Sequence, residues 1–81
     1  NGPGMENEPV AGRVPSRILS LAWSDRLVAG TSKGSLYKLS LTDDTVDRLV
    51  RTGSDPIYAL AFDSKGNLLL GTHGRLQVLP R

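Results

Sequence analysis

The sequence predicts an all-β protein built from about two four-stranded antiparallel sheets, and two observations predict this class. First, short apolar runs separated by turn-forming residues recur along the chain, and no stretch favours a helix. Second, one three-part pattern occurs twice: Ala22 and Ala61 lie 39 positions apart, and Leu39 and Leu79 lie 40 apart. The matched pairs are residues 18–24 and 57–63, 26–31 and 67–72, and 34–39 and 74–79.

The first copy contains four predicted strands. Residues 18–23 form a nearly continuous apolar run, which is expected of a strand buried on both faces. A second strand follows at 27–31, and a glycine-containing hairpin turn at 32–34 leads into the alternating strand 35–41. Residues 45–51 are more polar, which predicts a strand at the outer edge of the sheet.

The second copy repeats three of these strands, with hairpin signals at 63–67 and 71–74. We therefore expect a first unit at residues 17–53 and a second unit at 54–81 that lacks its fourth strand. The proline- and glycine-rich residues 1–16 predict a flexible arm. We also consider an edge strand near 10–14, exchanged into a neighbouring copy to supply the missing strand.

The repeated segments resemble the blades of WD-repeat β-propellers. Residues 18–24 and 57–63 are similar to the innermost strand of such a blade, and residues 29–31 and 70–72 to the end of its second strand. The resemblance implies one propeller blade per copy. Because propellers close with about four to eight blades, it also implies that further blades come from other copies or from a partner chain.

Other propeller classes show similar patterns. Residues 66–74 are similar to repeats of bacterial sensor proteins, and residues 33–37 to quinone-binding propellers. In this chain, residues 39–40 and 79–80 read Leu-Ser and Leu-Pro where WD repeats carry Trp-Asp. The resemblance therefore predicts a propeller without fixing its subfamily.

Composition restricts the function classes. The 81 residues carry a net charge of +2 with acidic and basic side chains interspersed, so we expect no nucleic-acid partner. The chain has no cysteine, hence neither a disulfide nor a thiolate metal site. We found no apolar run long enough to span a membrane and no signal peptide, and we expect a cytoplasmic protein. Residues 1–4, ahead of Met5, are typical of an engineered leader and suggest a designed protein.

Catalytic and metal-binding chemistry is not predicted. His73 is the single histidine, and a base or metal ligand needs partners that the chain does not offer. Asp43, Asp44 and Asp47 are too closely spaced for a calcium loop and suit a turn. We therefore predict no catalytic residue, no metal site and no cofactor.

Two groups of residues are predicted to make contacts instead. Matching large apolar residues on the first strand of each copy predict packing between blades: Leu21, Trp23, Leu60 and Phe62. Side chains near strand ends and in a turn are candidates for surface contacts: Tyr37, Tyr58 and His73.

Together these observations favour a non-catalytic module that assembles into a ring of three or four chains and serves as a structural or protein-interaction scaffold. One alternative is a ligand-binding propeller of the lectin or sensor type, with a small ligand or sugar as its partner. A second is a truncated piece of a larger propeller, which needs another propeller chain.

Overall fold

The computed structural model describes residues 9–81, which form a short 3₁₀ helix followed by seven strands. Most of the predicted flexible arm, residues 1–8, lies outside this part of the chain. The elements are the helix Pro9–Arg13, β1 (Ile18–Trp23), β2 (Leu27–Thr31), β3 (Ser35–Ser40), β4 (Thr45–Arg51), β5 (Ala59–Phe62), β6 (Leu68–Thr72) and β7 (Arg75–Leu79).

The strands form two antiparallel sheets in which each strand pairs with the next along the chain. One has the order β1-β2-β3-β4 and the other β5-β6-β7, which confirms the predicted all-β class with its four-stranded and three-stranded units. As its polarity predicted, β4 lies at an edge. Within residues 9–81, no strand pairs with the outer edge of β7.

Tight turns at equivalent positions connect the repeated strands. Gly34 precedes β3 with a φ of 79°, and Gly74 precedes β7 with a φ of 73°. Only glycine adopts this left-handed conformation without steric cost, so both copies of the pattern carry glycine there. The two hairpins thereby place equivalent residues in equivalent registers.

The two sheets pack face to face around an apolar cluster. Its fully buried members include Val28 and Leu36 from the four-stranded sheet and Leu68 and Leu70 from the three-stranded sheet. Ile57 lies between them, at the end of the connection from β4 to β5. The sheets are therefore joined by a core and not merely by a linker.

Hydrogen bonds fix the connection at Ile57 to the four-stranded sheet. The Ile57 N–H donates to the Thr31 carbonyl at 3.0 Å, and the Ser20 hydroxyl donates to the Ile57 carbonyl at 2.8 Å. Because both main-chain groups of Ile57 are used in this way, β5 begins at Ala59 and not at 57.

The N-terminal 3₁₀ helix packs against the opposite side of the four-stranded sheet. Val10 and Val14 are buried there in a second cluster with Ala29, Tyr37 and Leu39. Within a single chain, residues 10–14 therefore form no strand, and the exchange of such a strand into a neighbouring copy stays a prediction. The helical turn lets both valines cover apolar side chains of their own sheet, whereas a lone strand would leave its main-chain groups without a ladder.

Within one chain, β1 is buried on one face only, which differs from the expectation of burial on both faces. Ala22 is buried, but its neighbours Leu21 and Trp23 are exposed on the other side of the strand. No helix in the described part of the chain has the length and hydropathy needed to cross a bilayer.

Candidate functional site

The two sheets contact each other through unlike faces. We call the side of each sheet that carries Ala22 or its repeat equivalent Ala61 the front face, and the opposite side the back face. Register places Val28 on the front face beside Ala22, and Leu68 on the back face beside Phe62. The core therefore joins the front face of the four-stranded sheet to the back face of the three-stranded sheet. One back face and one front face are left unpaired by this contact.

The unpaired back face belongs to the four-stranded sheet. Trp23 is 70% exposed and Leu21 57% exposed, both on β1. Further along the same face, Ala29 and Leu39 are buried beneath residues 10–14, which we call the N-terminal segment. This face is therefore covered over β2 and β3 and open over β1.

The unpaired front face belongs to the three-stranded sheet. Leu76 is 74% exposed, and Val78 stands beside it on β7. The register sets Leu76 opposite Gly71 and Val78 opposite Leu69. With the exposed Ala61 on β5, these side chains form a continuous apolar face. Exposed apolar faces of this kind mark interaction surfaces.

A shallow groove of about 190 Å³ lies next to Trp23. It runs between the β1–β2 turn and the β3–β4 turn, and its lining includes Leu27, Leu39, Asp25 and Ser40. The groove is thus lined by both apolar and polar side chains. Such a volume holds a side chain or a very small molecule, since typical ligand pockets are about 300–1,000 Å³.

Polar contacts join the two sheets at the edge of their core. The Arg26 guanidinium lies over the Phe62 ring, 5.0 Å from its centroid. Arg26 and Arg81 both reach the Asp25 carboxylate, at 3.2 and 3.3 Å. These contacts bring the β1–β2 turn, β5 and the end of the chain together around one carboxylate.

The structure separates the four predicted packing residues into two pairs. Leu60 and Phe62 lie between the sheets, partly buried against the core. Leu21 and Trp23 do not: they are exposed on the unpaired back face, and neither side chain belongs to the apolar core between the sheets.

The three predicted surface residues also differ from one another. Tyr37 is only 8% exposed because the N-terminal segment covers it, so its prediction as a surface contact is wrong. Tyr58 is exposed just before β5, and His73 is exposed in the turn between β6 and β7.

The Asp63 carboxylate accepts several hydrogen bonds that shape the turn between β5 and β6. Asp63 accepts hydrogen bonds from the Lys65 and Asn67 main-chain N–H groups at 2.9 and 2.8 Å, and from the Asn67 amide at 3.0 Å. Partial burial raises the pKa of Asp63, but hydrogen bonds from Asn67, Lys65 and Gly66 outweigh it and hold the pKa below its usual value. An ionised, fully engaged carboxylate of this kind stabilises the β5–β6 hairpin.

Within residues 9–81, no three histidine, cysteine, aspartate or glutamate side chains lie close enough together to hold a metal ion. The features that sequence reasoning missed are apolar and ionic. One is the ion pair of Arg13 with Asp44 at 2.7 Å, which ties the N-terminal helix to the β3–β4 turn. The other is the exposure of Leu76, which no signal in the sequence distinguishes from its buried equivalent Leu36.

Comparisons with protein-family models, with curated proteins and with solved structures found no significant match to this chain. The two unpaired apolar faces of residues 9–81 are the candidate functional site.

Proposed function

We propose that this chain is a non-catalytic propeller-type module that assembles with further copies of itself into a ring and serves as a scaffold for protein interaction. The observation that carries the proposal is the pair of unpaired apolar faces, one on each sheet. Exposure of these two faces to water is unfavourable, and their burial against another copy is favourable.

The kind of contact within the chain favours a ring over a simple two-fold dimer. Within the chain a front face meets a back face, and the two unpaired faces are again one back face and one front face. A contact between unlike faces repeats around an axis and closes when the rotation fits. With two sheets in residues 9–81 and about four to eight blades in a closed propeller, two to four copies make a ring, and the six or eight blades that we expect take three or four copies.

The experiment is the absolute mass in solution, measured by sedimentation velocity and light scattering across a wide range of protein concentration. We expect one discrete species of three or four chains. A mass of one chain at every concentration contradicts the proposal and favours a piece that requires a different chain. A mass that grows without limit contradicts the ring.

A second candidate function is the binding of a small ligand such as a sugar. It is favoured by the groove beside Trp23, where an exposed aromatic ring stands next to the polar side chains of Asp25, Ser40 and Thr42. An apolar ring face with hydroxyl and carboxylate groups at its rim suits the apolar face and hydroxyls of a monosaccharide.

Trp23 is the single tryptophan, so its fluorescence reports directly on that groove. We expect the Trp23 emission to change in a saturable way as a binding monosaccharide is added. Binding should be weaker in Thr42→Val, because this substitution keeps the side-chain shape but removes the hydroxyl. A panel of monosaccharides that leaves the emission unchanged at millimolar concentration contradicts this second function.

A further inference from the structure

We infer that the open back face at Trp23 receives the open front face at Leu76 of a second copy, in the same geometry that joins the two sheets within one chain. The inference rests on the proposed function and names the two surfaces that meet.

The internal repeat identifies the receiving surface. In the core between the sheets, the three-stranded sheet contributes Leu60 and Phe62 from its first strand. Their repeat equivalents in the four-stranded sheet are Leu21 and Trp23, on the same back face. The first pair is covered by a neighbouring sheet, while the second pair is exposed. Within residues 9–81, the same type of surface therefore occurs twice and is paired once.

The repeat also identifies the incoming surface. The four-stranded sheet contributes Ala22, Val28 and Leu36 to the core, and Leu36 is completely buried at its centre. The equivalents Ala61, Leu69 and Leu76 form the open front face of the three-stranded sheet. Leu36 and Leu76 thus occupy the same place in two sheets. One is fully buried by a neighbour, and the other is 74% exposed.

The N-terminal segment occupies part of the receiving surface. Within the chain, the neighbouring sheet covers Leu70 on the back face, whereas the equivalent Ala29 is covered by Val10 and Val14. The segment is held to the β3–β4 turn by the ion pair of Arg13 with Asp44, both of which are partly exposed. If a second copy packs on the back face of the four-stranded sheet as the two sheets pack within one chain, it competes with residues 10–14 for the part of that face around Ala29.

The test uses two variants that each block one of the two surfaces. Trp23→Glu places a charge on the receiving surface and leaves the front face intact, and Leu76→Glu does the reverse. Both side chains are exposed, so each variant is expected to fold, which circular dichroism and urea unfolding check. Masses are measured for the wild-type protein, for each variant alone and for the equimolar mixture.

We expect each variant alone to have the mass of one chain at concentrations where the wild type assembles. The mixture should give a species of twice that mass, because the intact Trp23 of one variant meets the intact Leu76 of the other. A mixture that remains at the mass of one chain, while the wild type assembles, overturns the inference and leaves the proposed function standing. Variants that assemble alone like the wild type overturn it as well. A wild type that never assembles overturns both.

Discussion

At the residue scale, equivalent positions of the repeat differ in what surrounds them. Gly30 on β2 and Gly71 on β6 occupy the same place in the two copies. A Cβ atom added at Gly30 would lie 2.5 Å from the Ser20 hydroxyl and 2.6 Å from a methyl carbon of Ile57. At Gly71 the nearest atom is the Ala59 Cβ at 3.4 Å, an ordinary contact. Within one chain, close approach of a neighbouring segment therefore requires glycine in the first copy alone.

Gly30→Ala is accordingly expected to lower the free energy of unfolding by about 1–3 kcal/mol, through overpacking against Ile57. Gly71→Ala is the matched control and should be neutral or stabilising by up to about 1 kcal/mol, because it restricts the unfolded chain. Urea unfolding of both variants and the wild type, at a concentration where each protein is a single chain, measures the difference. Equal effects at the two positions would show that Ile57 does not pack against Gly30 as described.

Asp63 gives the hairpin β5–β6 a dependence on pH. Its pKa is lower in the folded protein than in the unfolded chain, so its stabilising effect is present above the ordinary aspartate pKa of about 3.9 and is lost as pH falls through the folded value. Asp63→Asn should therefore be less stable than the wild type at pH 7, with the difference narrowing below about pH 4.

The measurement is urea unfolding of the Asp63 variant between pH 7 and pH 3, with Asp47→Asn on the exposed side of β4 as the control. The control should follow the wild type throughout. A difference between Asp63→Asn and the wild type that stays constant with pH would show that the hydrogen bonds do not depend on the charge.

At the scale of elements, the strands followed from the sequence and the N-terminal helix did not. The strand bounds depend on local pattern and glycine turns, both of which are visible along the chain. Val10 and Val14 gave too short a pattern to distinguish helix from strand. Their structure is decided by the apolar surface of Tyr37 and Leu39, more than twenty positions away, which needs a cover.

If this segment competes with a second copy, loosening it should favour assembly. Arg13→Gln removes the ion pair with Asp44, and an exposed pair of this kind contributes up to about 1 kcal/mol. We expect the concentration at which half of the protein is assembled to fall by up to about fivefold. The control is Arg17→Gln, outside the helix and outside the described ion pairs.

Sedimentation equilibrium at low salt measures these midpoints, because salt screens exposed charges. An Arg13 variant that assembles less readily than the wild type would mean that the segment supports the contact between copies and does not compete with it.

At the scale of the whole molecule, sequence reasoning identified the fold class and the matching aromatic positions, yet it missed which of them are open. Periodicity shows that Trp23 and Phe62 occupy equivalent strands. It does not show the order in which sheets stack, and that order decides exposure. Because the two sheets of residues 9–81 meet through unlike faces, Phe62 is covered while its equivalent Trp23 is open, and Leu36 is covered while its equivalent Leu76 is open. The candidate site therefore depends on how the sheets stack, and no local sequence pattern shows how they stack.

This stacking leads to a spectroscopic prediction. In one isolated chain, Trp23 is 70% exposed, so its emission should resemble that of tryptophan in water. Assembly through the back face covers the indole with apolar side chains, including Leu76 of the next copy, and should move the emission maximum to shorter wavelength as protein concentration rises. Leu76→Glu is the matched control, since it alters the contact without changing the fluorophore. Its emission should stay at the long-wavelength position at every concentration. An emission maximum that does not move while the mass of the wild type increases places Trp23 outside the contact between copies.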